Sequence, residues 1–301
     1  MKKEDIKKFV EENPKLVTMK ESTTYPGLFV LKYHRQVFFK NLWNDFLENC
    51  RGTVVDRDFN VITRSPTKIY NFRVEDKAPV LDDNVQVTAY RKVNGFLACL
   101  TWHNNDVLIS TTGSLDSDFI TYTKEMMLKH MVWADWQIAV RGAKDFTMFF
   151  EVVHPTDPHI VTEKPGMYLL GMRENKWDSK MLVYGKDNAE WLRDYAISTL
   201  NCFYAEAEYM TVGELVKKAK SVQHEGYVCY TEDGQAFKIK SPYYLVQKAL
   251  ARKKDILSIN KQLVEEEYYP LIEHLNTIKD EFNLLGEQSR LEYIRDYLEK
   301  Q

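Results

Sequence analysis

The alternation of apolar and polar residues over the first 115 positions predicts one helix followed by a series of short strands. Residues 2–13 place apolar side chains on one side of a helix that ends near Pro14. Beyond it, apolar residues alternate or run together between Asn, Asp and Gly turns, which is typical of strands. The predicted strands are LFVLKY, VFFK, GTVVD, NVITR, VQVTAY, GFLACLTW and DVLIST.

The period of this pattern changes after residue 115. Residues 116–140 have helical spacing, and Asp116 or Ser117 is a suitable N-terminal cap. Strands resume at FTMFFEVV and MYLLGMRE, and residues 186–220 are predicted to be largely helical, with YAISTLNCFYAEAEY ambiguous. A hairpin follows in GYVCYTEDGQAFKIKS, because Asp233-Gly234 is a typical turn pair between two strands.

From Pro242 to residue 301 the spacing is helical almost throughout, with a single glycine. The sequence therefore predicts an α+β fold. A domain of antiparallel sheets with flanking helices covers residues 1–245, and a small all-helical C-terminal domain covers residues 246–301. No low-complexity linker separates the two parts, so we expect them to pack on each other.

Composition places this chain among ordinary globular proteins. Hydrophobic residues make up 44% and charged residues 28%, and the formal net charge of −3 gives no whole-chain argument for nucleic acid. The four cysteines are far apart and lack CxxC spacing, which indicates neither a zinc site nor a disulfide framework. The charged N-terminus is unlike a signal peptide, and no apolar run is long enough to span a membrane. We expect a soluble, cytoplasmic protein.

The stretch YRKVNGFLACL places a lysine, Lys92, between a strand and an Asn-Gly turn. One interpretation is a solvated lysine at a strand end. The other is a nucleophile, since burial or neighbouring cations lower the pKa of a lysine toward the free amine. A glycine just beyond it, Gly95, allows the backbone to approach a phosphate or ribose closely.

Two carboxylates occur in apolar strands. Glu151 lies inside FFEVV and Glu225 precedes GYVCY, and each is either a strand-end residue or a group that faces a cleft. A carboxylate at Glu225 could hold a divalent metal, because Mg²⁺ and similar ions prefer hard oxygen ligands.

Basic residues complete the set of candidates. Lys238 and Lys240 stand two apart on one strand and so project from the same face. They form either a solvated edge or a clamp for a phosphate. Arg51, where NCR enters the strand GTVVD, can pair with a phosphate or with a carboxylate.

Taken in chain order, these stretches resemble the covalent nucleotidyltransferase superfamily of RNA ligases, DNA ligases and mRNA capping enzymes. The sequence is most similar to the phage RNA ligase 1 family. The matching stretches span residues 49–245 and are NCRGTVVD, SPTKIYNF, KVNG, FFEVVHPTDPHIV, LLGMREN, HEGYVCY and FKIKSPYYL. The resemblance implies a nucleotidyltransferase domain of the ATP-grasp-like ligase fold over residues 1–245.

The resemblance also implies an activity. In that family the lysine at the position of Lys92 takes AMP from ATP as a lysyl-adenylate, with Mg²⁺ or Mn²⁺. The AMP passes to an RNA 5′-phosphate, and a 3′-hydroxyl then displaces it to seal the strand. The expected substrate is RNA with such ends, with tRNA a candidate for repair. We further expect a monomer encoded by a bacteriophage that acts in the host cytoplasm.

Individual roles follow from the matched stretches. Lys92 is the implied nucleophile, and Glu225 the implied metal ligand. Lys238 and Lys240 are expected on the α-phosphate. The residues expected to bind the nucleotide are Arg51, Lys68, Asn94, Gly95, Glu151 and Arg173, with Lys238 and Lys240 again among them.

Two residues depart from the family pattern. The usual stretch is KxDG, whereas this chain has Asn94, which removes a carboxylate near the ribose. Relatives often have a lysine immediately before the Gly-Ser of LISTTGSL, where this chain has Thr112, so no catalytic role is assigned to it. These departures leave room for a non-catalytic RNA-binding relative.

Other features of the sequence have less specific interpretations. HPTDPH, with His154, Asp157 and His159, is read as a rigid loop beside the site rather than a metal centre. After Lys240 the sequence pattern becomes helical, whereas DNA ligases and capping enzymes continue there into an OB-fold of alternating strands. This difference disfavours a DNA ligase or a capping guanylyltransferase. A basic face that could steer RNA phosphates is formed by Lys248, Arg252, Lys253 and Lys254.

Overall fold

A computed structural model of the protein describes residues 1–182, 185–252 and 268–299. Three sheets make up its β structure. The first sheet has the order β1 (Val17–Glu21), β2 (Leu28–Tyr33), β3 (Arg51–Asp56) and β4 (Val61–Thr63), and every neighbouring pair in it is antiparallel. This sheet is followed along the chain by the two sheets that carry most of the candidate residues.

The second sheet has the order β11 (Phe203–Tyr204), β10 (Gly166–Glu174), β9 (Phe146–Val153), β7 (Phe96–His103) and β8 (Asp106–Thr111). The third sheet has the order β12 (Ala207–Thr211), β6 (Gln86–Arg91), β13 (Gly226–Thr231), β14 (Ala236–Lys240) and β5 (Tyr70–Asn71). Pairing is antiparallel except for the short edge strands β11 and β5, which pair in parallel.

Helices cover the outer faces of these sheets. The described helices are α1 (Lys3–Glu12), α2 (Arg35–Phe39), α3 (Asp118–His130), α4 (Trp133–Gly142), α5 (Lys186–Ser198), α6 (Val212–Ser221), α7 (Pro242–Arg252), α8 (Tyr269–Thr277), α9 (Lys279–Leu284) and α10 (Glu287–Glu299), with a short 3₁₀ turn at Leu47–Asn49. Among the residues described, no helix is both long and apolar enough to cross a membrane.

Each sheet has its own buried cluster. The largest lies between the second sheet and α3, α4 and α5, where Trp136 and Phe150 meet edge to face. A second cluster joins α1 to the first sheet through Ile6 and Leu31, and a third joins α6 to the third sheet through Leu215. The α+β class predicted from the sequence is confirmed.

The C-terminal helices have a small core of their own. It contains Val246 and Leu250 of α7 together with side chains of α8, α9 and α10. A further cluster joins α7 and α10 to residues 160 and 161 of the main domain. The predicted domain boundary at residue 245 falls inside α7, and the division into two domains stays a prediction.

Two predicted elements were wrong in detail. VFFK belongs to the helical turn α2 and not to a strand, because His34 Nδ1 caps the turn by accepting from the Gln36 N–H and only Val37 is buried in it. Residues 116–140 form two helices, α3 and α4. The break at Met131 lets the fully buried Trp136 donate its indole N–H to the carbonyl of Met127, 2.8 Å away, at the end of α3.

Strands were also missed. β1 was not among the predicted strands, although it lies antiparallel to β2 from Val17 to Glu21. The ambiguous stretch in 186–220 contains the end of α5 and the strands β11 and β12 before α6 begins. These strands are short and only partly buried, so their apolar periodicity is weak.

Candidate active site

Lys92 directly follows β6, beside the point where β13 begins. Its backbone N–H donates to the carbonyl of Gly226, 2.8 Å away. Gly226 has a φ of +126°, and a Cβ there would lie only 2.1 Å from the carbonyl oxygen of Ile239, so a glycine is required. This close approach of three backbones brings Glu225 next to Lys92, although 133 positions separate them in the chain.

The carboxylate of Glu225 is the centre of the cluster. It is 3% exposed. One of its oxygens accepts from the amine of Lys92 at 2.9 Å and from the amide of Asn94 at 2.7 Å. The amine of Lys240 lies 3.6 Å from its other oxygen. Glu225 therefore holds three of the predicted site residues in fixed relation to one another.

Asn94 uses both ends of its amide. The Nδ2 group donates to Glu225, and Oδ1 accepts from the backbone N–H of Val161 at 2.9 Å. An aspartate here could keep the second contact but would place a carboxylate against the carboxylate of Glu225. The departure from KxDG thus has a physical account: a neutral donor suits this buried neighbour better than a second negative charge.

Gly95 connects this loop to Glu151. Its N–H donates to Glu151 Oε1 at 3.0 Å, and a Cβ at Gly95 would lie 2.3 Å from the carbonyl oxygen of Val152. Burial raises the pKa of Glu151, while the charge of Lys92 and the Gly95 N–H act in the opposite direction. Glu151 therefore faces a cleft next to Lys92 and is not a solvated strand-end residue.

The electrostatics of Lys92 differ from the sequence prediction. Burial by itself pushes the pKa of Lys92 down, but Glu151 and Glu225 together outweigh it and hold the pKa above its ordinary value. Burial thus acts in the direction that a nucleophile needs, and the neighbouring carboxylates act against it. A nucleophilic role requires the negative charge around the amine to be compensated first.

Lys238 has the opposite surroundings. Burial, with Arg51, Lys240 and Lys68 nearby, lowers the pKa of Lys238 to about 7. Burial also lowers the pKa of Arg51. Within the described chain neither Lys238 nor Arg51 forms an ion pair, so both are open to an anion.

A cavity of about 200 Å³ lies between these groups. Its polar edge contains Arg51, Lys92, Glu151 and Lys238. The remaining wall is mainly apolar and includes Ile69, Val93, Leu97, Phe149, Leu170, Met181 and Val228. An apolar slot with convergent cations at one edge suits a flat heterocycle that carries phosphates.

Lys68 and Arg173 lie outside this cavity. Lys68 is paired with Glu75 at 2.9 Å and lies over the ring of Tyr70, with its Nζ 3.4 Å from the ring centroid. Arg173 is buried and donates to Thr67 Oγ1 at 3.1 Å, and burial lowers its pKa to about 10. Because Thr67 lines the cavity, Arg173 supports its wall without reaching into it.

The residues predicted from the sequence did not include Tyr244, an aromatic neighbour of Lys240. Tyr244 lies on α7, and the amine of Lys240 is 4.7 Å from its ring centroid. The amine of Lys248 approaches the same ring at 5.5 Å. The signal available in the sequence was an aromatic residue four positions after Lys240, where a helix directly follows a strand.

The HPTDPH segment is a loop. His154 contacts Glu125 and Thr156, and His159 contacts Asp157 at 2.9 Å. Across the described ranges, no three His, Cys, Asp or Glu side chains form a group that could hold a metal. Of the predicted basic face, Lys248 and Arg252 belong to α7, whereas Lys253 and Lys254 lie outside the described residues.

The lysine thus lies beside a carboxylate and an apolar slot edged with cations, and comparisons with known proteins give the class of protein that carries this arrangement. A family model described as RNA ligase matches residues 49–244. The chain therefore belongs to this RNA ligase family, whose members form phosphodiester bonds.

Solved structures support the fold independently of the family match. A putative ATP-dependent DNA ligase from Aquifex aeolicus is similar with a TM-score of 0.57 and 16% identity, over 96% of this chain and 76% of that one. An archaeal ATP-dependent RNA ligase is similar with a TM-score of 0.58 and 11% identity, over 98% and 79%. The predictions of a ligase-type nucleotidyltransferase fold and of an RNA ligase are confirmed.

Proposed function

We propose that this RNA ligase uses ATP and seals RNA 5′-phosphate and 3′-hydroxyl ends through a lysyl-AMP and an RNA-adenylate. One observation carries the proposal. The amine of Lys92 is paired with the buried carboxylate of Glu225 and lies within the field of the partly buried Glu151, at the edge of a cavity where two further cations, Lys238 and Arg51, have no ion-pair partner in the described structure. This arrangement suits a nucleophile that attacks the α-phosphate of a bound nucleotide.

In the first step the apolar wall holds the base, and Lys238 and Lys240 hold the α-phosphate. The Nζ of Lys92 attacks the α-phosphorus, so that a P–N bond forms and the bond to the β-phosphate oxygen breaks. Pyrophosphate leaves with the electron pair. The fixed cations offset the charge that grows on the phosphorus oxygens, and they need no rearrangement to do so.

Lys92 must lose its proton before this attack. Glu225 would hold a divalent cation together with phosphate oxygens, and Mg²⁺ is commonly bound by one or two carboxylates and a substrate phosphate. When bound, the cation supplies positive charge beside the amine and the α-phosphate. Compensation of the Glu225 charge removes one of the groups that raise the pKa of Lys92, and so favours the free amine.

Two transfers complete the reaction. An oxygen of the RNA 5′-phosphate attacks the phosphorus of the lysyl-AMP, the P–N bond breaks and Lys92 regains a proton. The RNA 3′-hydroxyl then attacks the phosphorus of the 5′-phosphate, and AMP leaves. Lys248, next to Tyr244, is suitably placed to contact RNA phosphate, and a tRNA substrate is a hypothesis within this proposal.

Incubation with α-labelled ATP or GTP tests the proposal. We expect Mg²⁺- or Mn²⁺-dependent label on the wild-type protein from ATP and none on Lys92→Ala. Lys20→Ala is the matched control, because Lys20 is an exposed lysine on β1. Label from GTP alone, or label retained by Lys92→Ala, contradicts the assignment. Unlabelled protein that still binds RNA indicates a non-catalytic relative.

A further inference from the structure

Arg91, the residue directly before the nucleophile, is paired with a buried carboxylate. Its Nη2 donates to Oε2 of Glu163 at 2.8 Å, and the side chain of Glu163 is 3% exposed. Glu163 follows the HPTDPH segment and lies 72 positions away from Arg91 in the sequence. The side chain next to Lys92 is thus tied to a different part of the fold.

The segment that contains Glu163 also contacts the chain beyond Lys92. The N–H of Val161, two positions before Glu163, donates to Oδ1 of Asn94 at 2.9 Å. The backbone N–H of Asn94 is close enough to the Glu163 carboxylate to favour its charged form. The nucleophile is therefore flanked on both sides by residues that this segment holds.

The charge of Glu163 depends on Arg91. Burial raises the pKa of Glu163, and the positive charge of Arg91 is the largest effect in the opposite direction. A buried carboxylate without its cation is costly. The ion pair therefore keeps the Arg91 side chain in one place.

Lys92 lies just outside the strand pairing that fixes the backbone of Arg91. Arg91 ends β6 opposite Tyr227, and its N–H donates to the carbonyl of Glu206 at 2.8 Å. Residues 92–95 belong to no strand. Outside a strand ladder, the direction of a functional side chain depends on the contacts of its neighbours, because these lock the local conformation.

Arg91 also lines the nucleotide-sized cavity, so an alternative role is to bind the nucleotide itself. Its charge is already compensated by Glu163, whereas Lys238 at the same cavity has no ion-pair partner within the described ranges. A neutralised pair offers little net charge to a phosphate. The pair is therefore better suited to orientation than to phosphate binding.

We propose that Glu163 is a positioning residue, which acts through Arg91 to hold the amine of Lys92 in line with the α-phosphorus. This inference rests on the proposed function. In the first step the Nζ of Lys92 forms the P–N bond while pyrophosphate leaves, and in the second step the same Nζ leaves the phosphorus. Attack of the 3′-hydroxyl on the RNA-adenylate forms and breaks no bond to this nitrogen. Glu163 therefore acts in the first two steps and not in the third.

The test compares Glu163→Gln with Asp83→Asn. Each variant converts an arginine-paired carboxylate into its amide, but Asp83 and its partner Arg73 are both exposed, with the two side chains 2.6 Å apart. For Glu163→Gln we expect the rate constant of lysyl-AMP formation at saturating ATP to fall about tenfold to 100-fold, as for loss of a charge-assisted contact. The KM for ATP should stay unchanged. Asp83→Asn should match wild type in both.

A double-mutant cycle tests the route through Arg91. Glu163→Gln should fold, because the Arg91 side chain is 33% exposed and can be hydrated without its partner; urea unfolding checks this. Arg91→Met should slow the same step. The double variant also lacks the buried charge that Arg91→Met leaves behind, and it should be no slower than the slower single variant. Fully additive losses overturn the route through Arg91.

Sealing of RNA that already carries the 5′-adenylate should be unchanged in Glu163→Gln. An equal loss in that reaction indicates a general structural role and overturns the inference. A higher KM for ATP with an unchanged rate constant places the pair on the nucleotide and overturns it as well, as does labelling equal to that of a normally labelled wild type. A wild-type protein that forms no lysyl-AMP overturns the proposed function, and the role of Glu163 with it.

Discussion

Substitution of Gly226 by alanine tests the backbone contact that brings the two ends of the site together. The added Cβ would lie 2.1 Å from the Ile239 carbonyl oxygen and 2.8 Å from the Cα of Lys240, and both are backbone atoms that cannot rotate away. A non-glycine residue at φ +126° adds conformational strain of about 1–3 kcal/mol. Overpacking against backbone adds about 1–3 kcal/mol. We expect a loss of about 2–6 kcal/mol in the free energy of unfolding.

The same substitution should also slow the formation of lysyl-AMP. The carbonyl of Gly226 accepts the N–H of Lys92, so separation of β13 from β14 also moves the nucleophile away from Lys240. Urea unfolding measures the stability, and label transferred from ATP at a temperature where the variant remains folded measures the activity. We expect lysyl-AMP formation to fall by about 100-fold or more, as for misplacement by about 1 Å.

Gly142→Ala is the matched control for this experiment. Nothing lies within 4 Å of a Cβ at Gly142, which is the last residue of α4, so alanine should leave activity unchanged and stability equal or higher by at most about 1 kcal/mol. If Gly226→Ala behaves like Gly142→Ala, the close approach of β13 to β14 is wrong, and the account of how Glu225 reaches Lys92 fails with it.

Three further predictions concern the charged groups. Burial and neighbouring cations lower the pKa of Lys238 to about 7, so between pH 7 and 10.5 the unfolded chain binds more protons than the folded chain. Lys238→Met removes this cost, and below pH 7 we expect its free energy of unfolding to exceed that of wild type by about 1–3 kcal/mol. In urea titrations the gain should vanish toward pH 10.5. Asn94→Asp places a second carboxyl group against Glu225, and the pKa of this carboxyl pair should rise. Without Mg²⁺ the melting temperature of the variant should therefore fall below that of wild type, more at pH 8 than at pH 5, and Mg²⁺ should reduce the difference. An identical loss at both pH values would contradict the contact between residue 94 and Glu225. Glu225→Gln should lower the pKa of Lys92 yet reduce Mg²⁺-dependent labelling by about 100-fold, and an unaltered Mg²⁺ titration would refute its role.

The strands that carry the candidate residues could be predicted because their apolar patterns are strong. FTMFFEVV and the hairpin with its Asp233-Gly234 turn are observed as β9 and as β13–β14. The position of Glu225 against Lys92 could not be derived from periodicity, since it depends on pairing between strands far apart in sequence. Chain order and resemblance supplied that link.

The features that could not be predicted from the sequence depend on tertiary contacts of single residues. The break between α3 and α4 follows from the packing of Trp136, and a helical period alone contains no sign of it. The pKa of Lys92 depends on which charges surround the amine, and a strand pattern does not specify them.

The contact between Asn94 and Val161 has a consequence for the design of chimaeras from related enzymes. Val161 belongs to a buried cluster with Tyr244 of α7 and Leu291 of α10, so it links the Lys-x-Asn-Gly loop to the C-terminal helices. A chimaera that replaces only those helices would leave Val161 against unmatched side chains and would loosen the support of Asn94. The C-terminal helices should therefore be exchanged together with residues 160 and 161, which share their buried cluster.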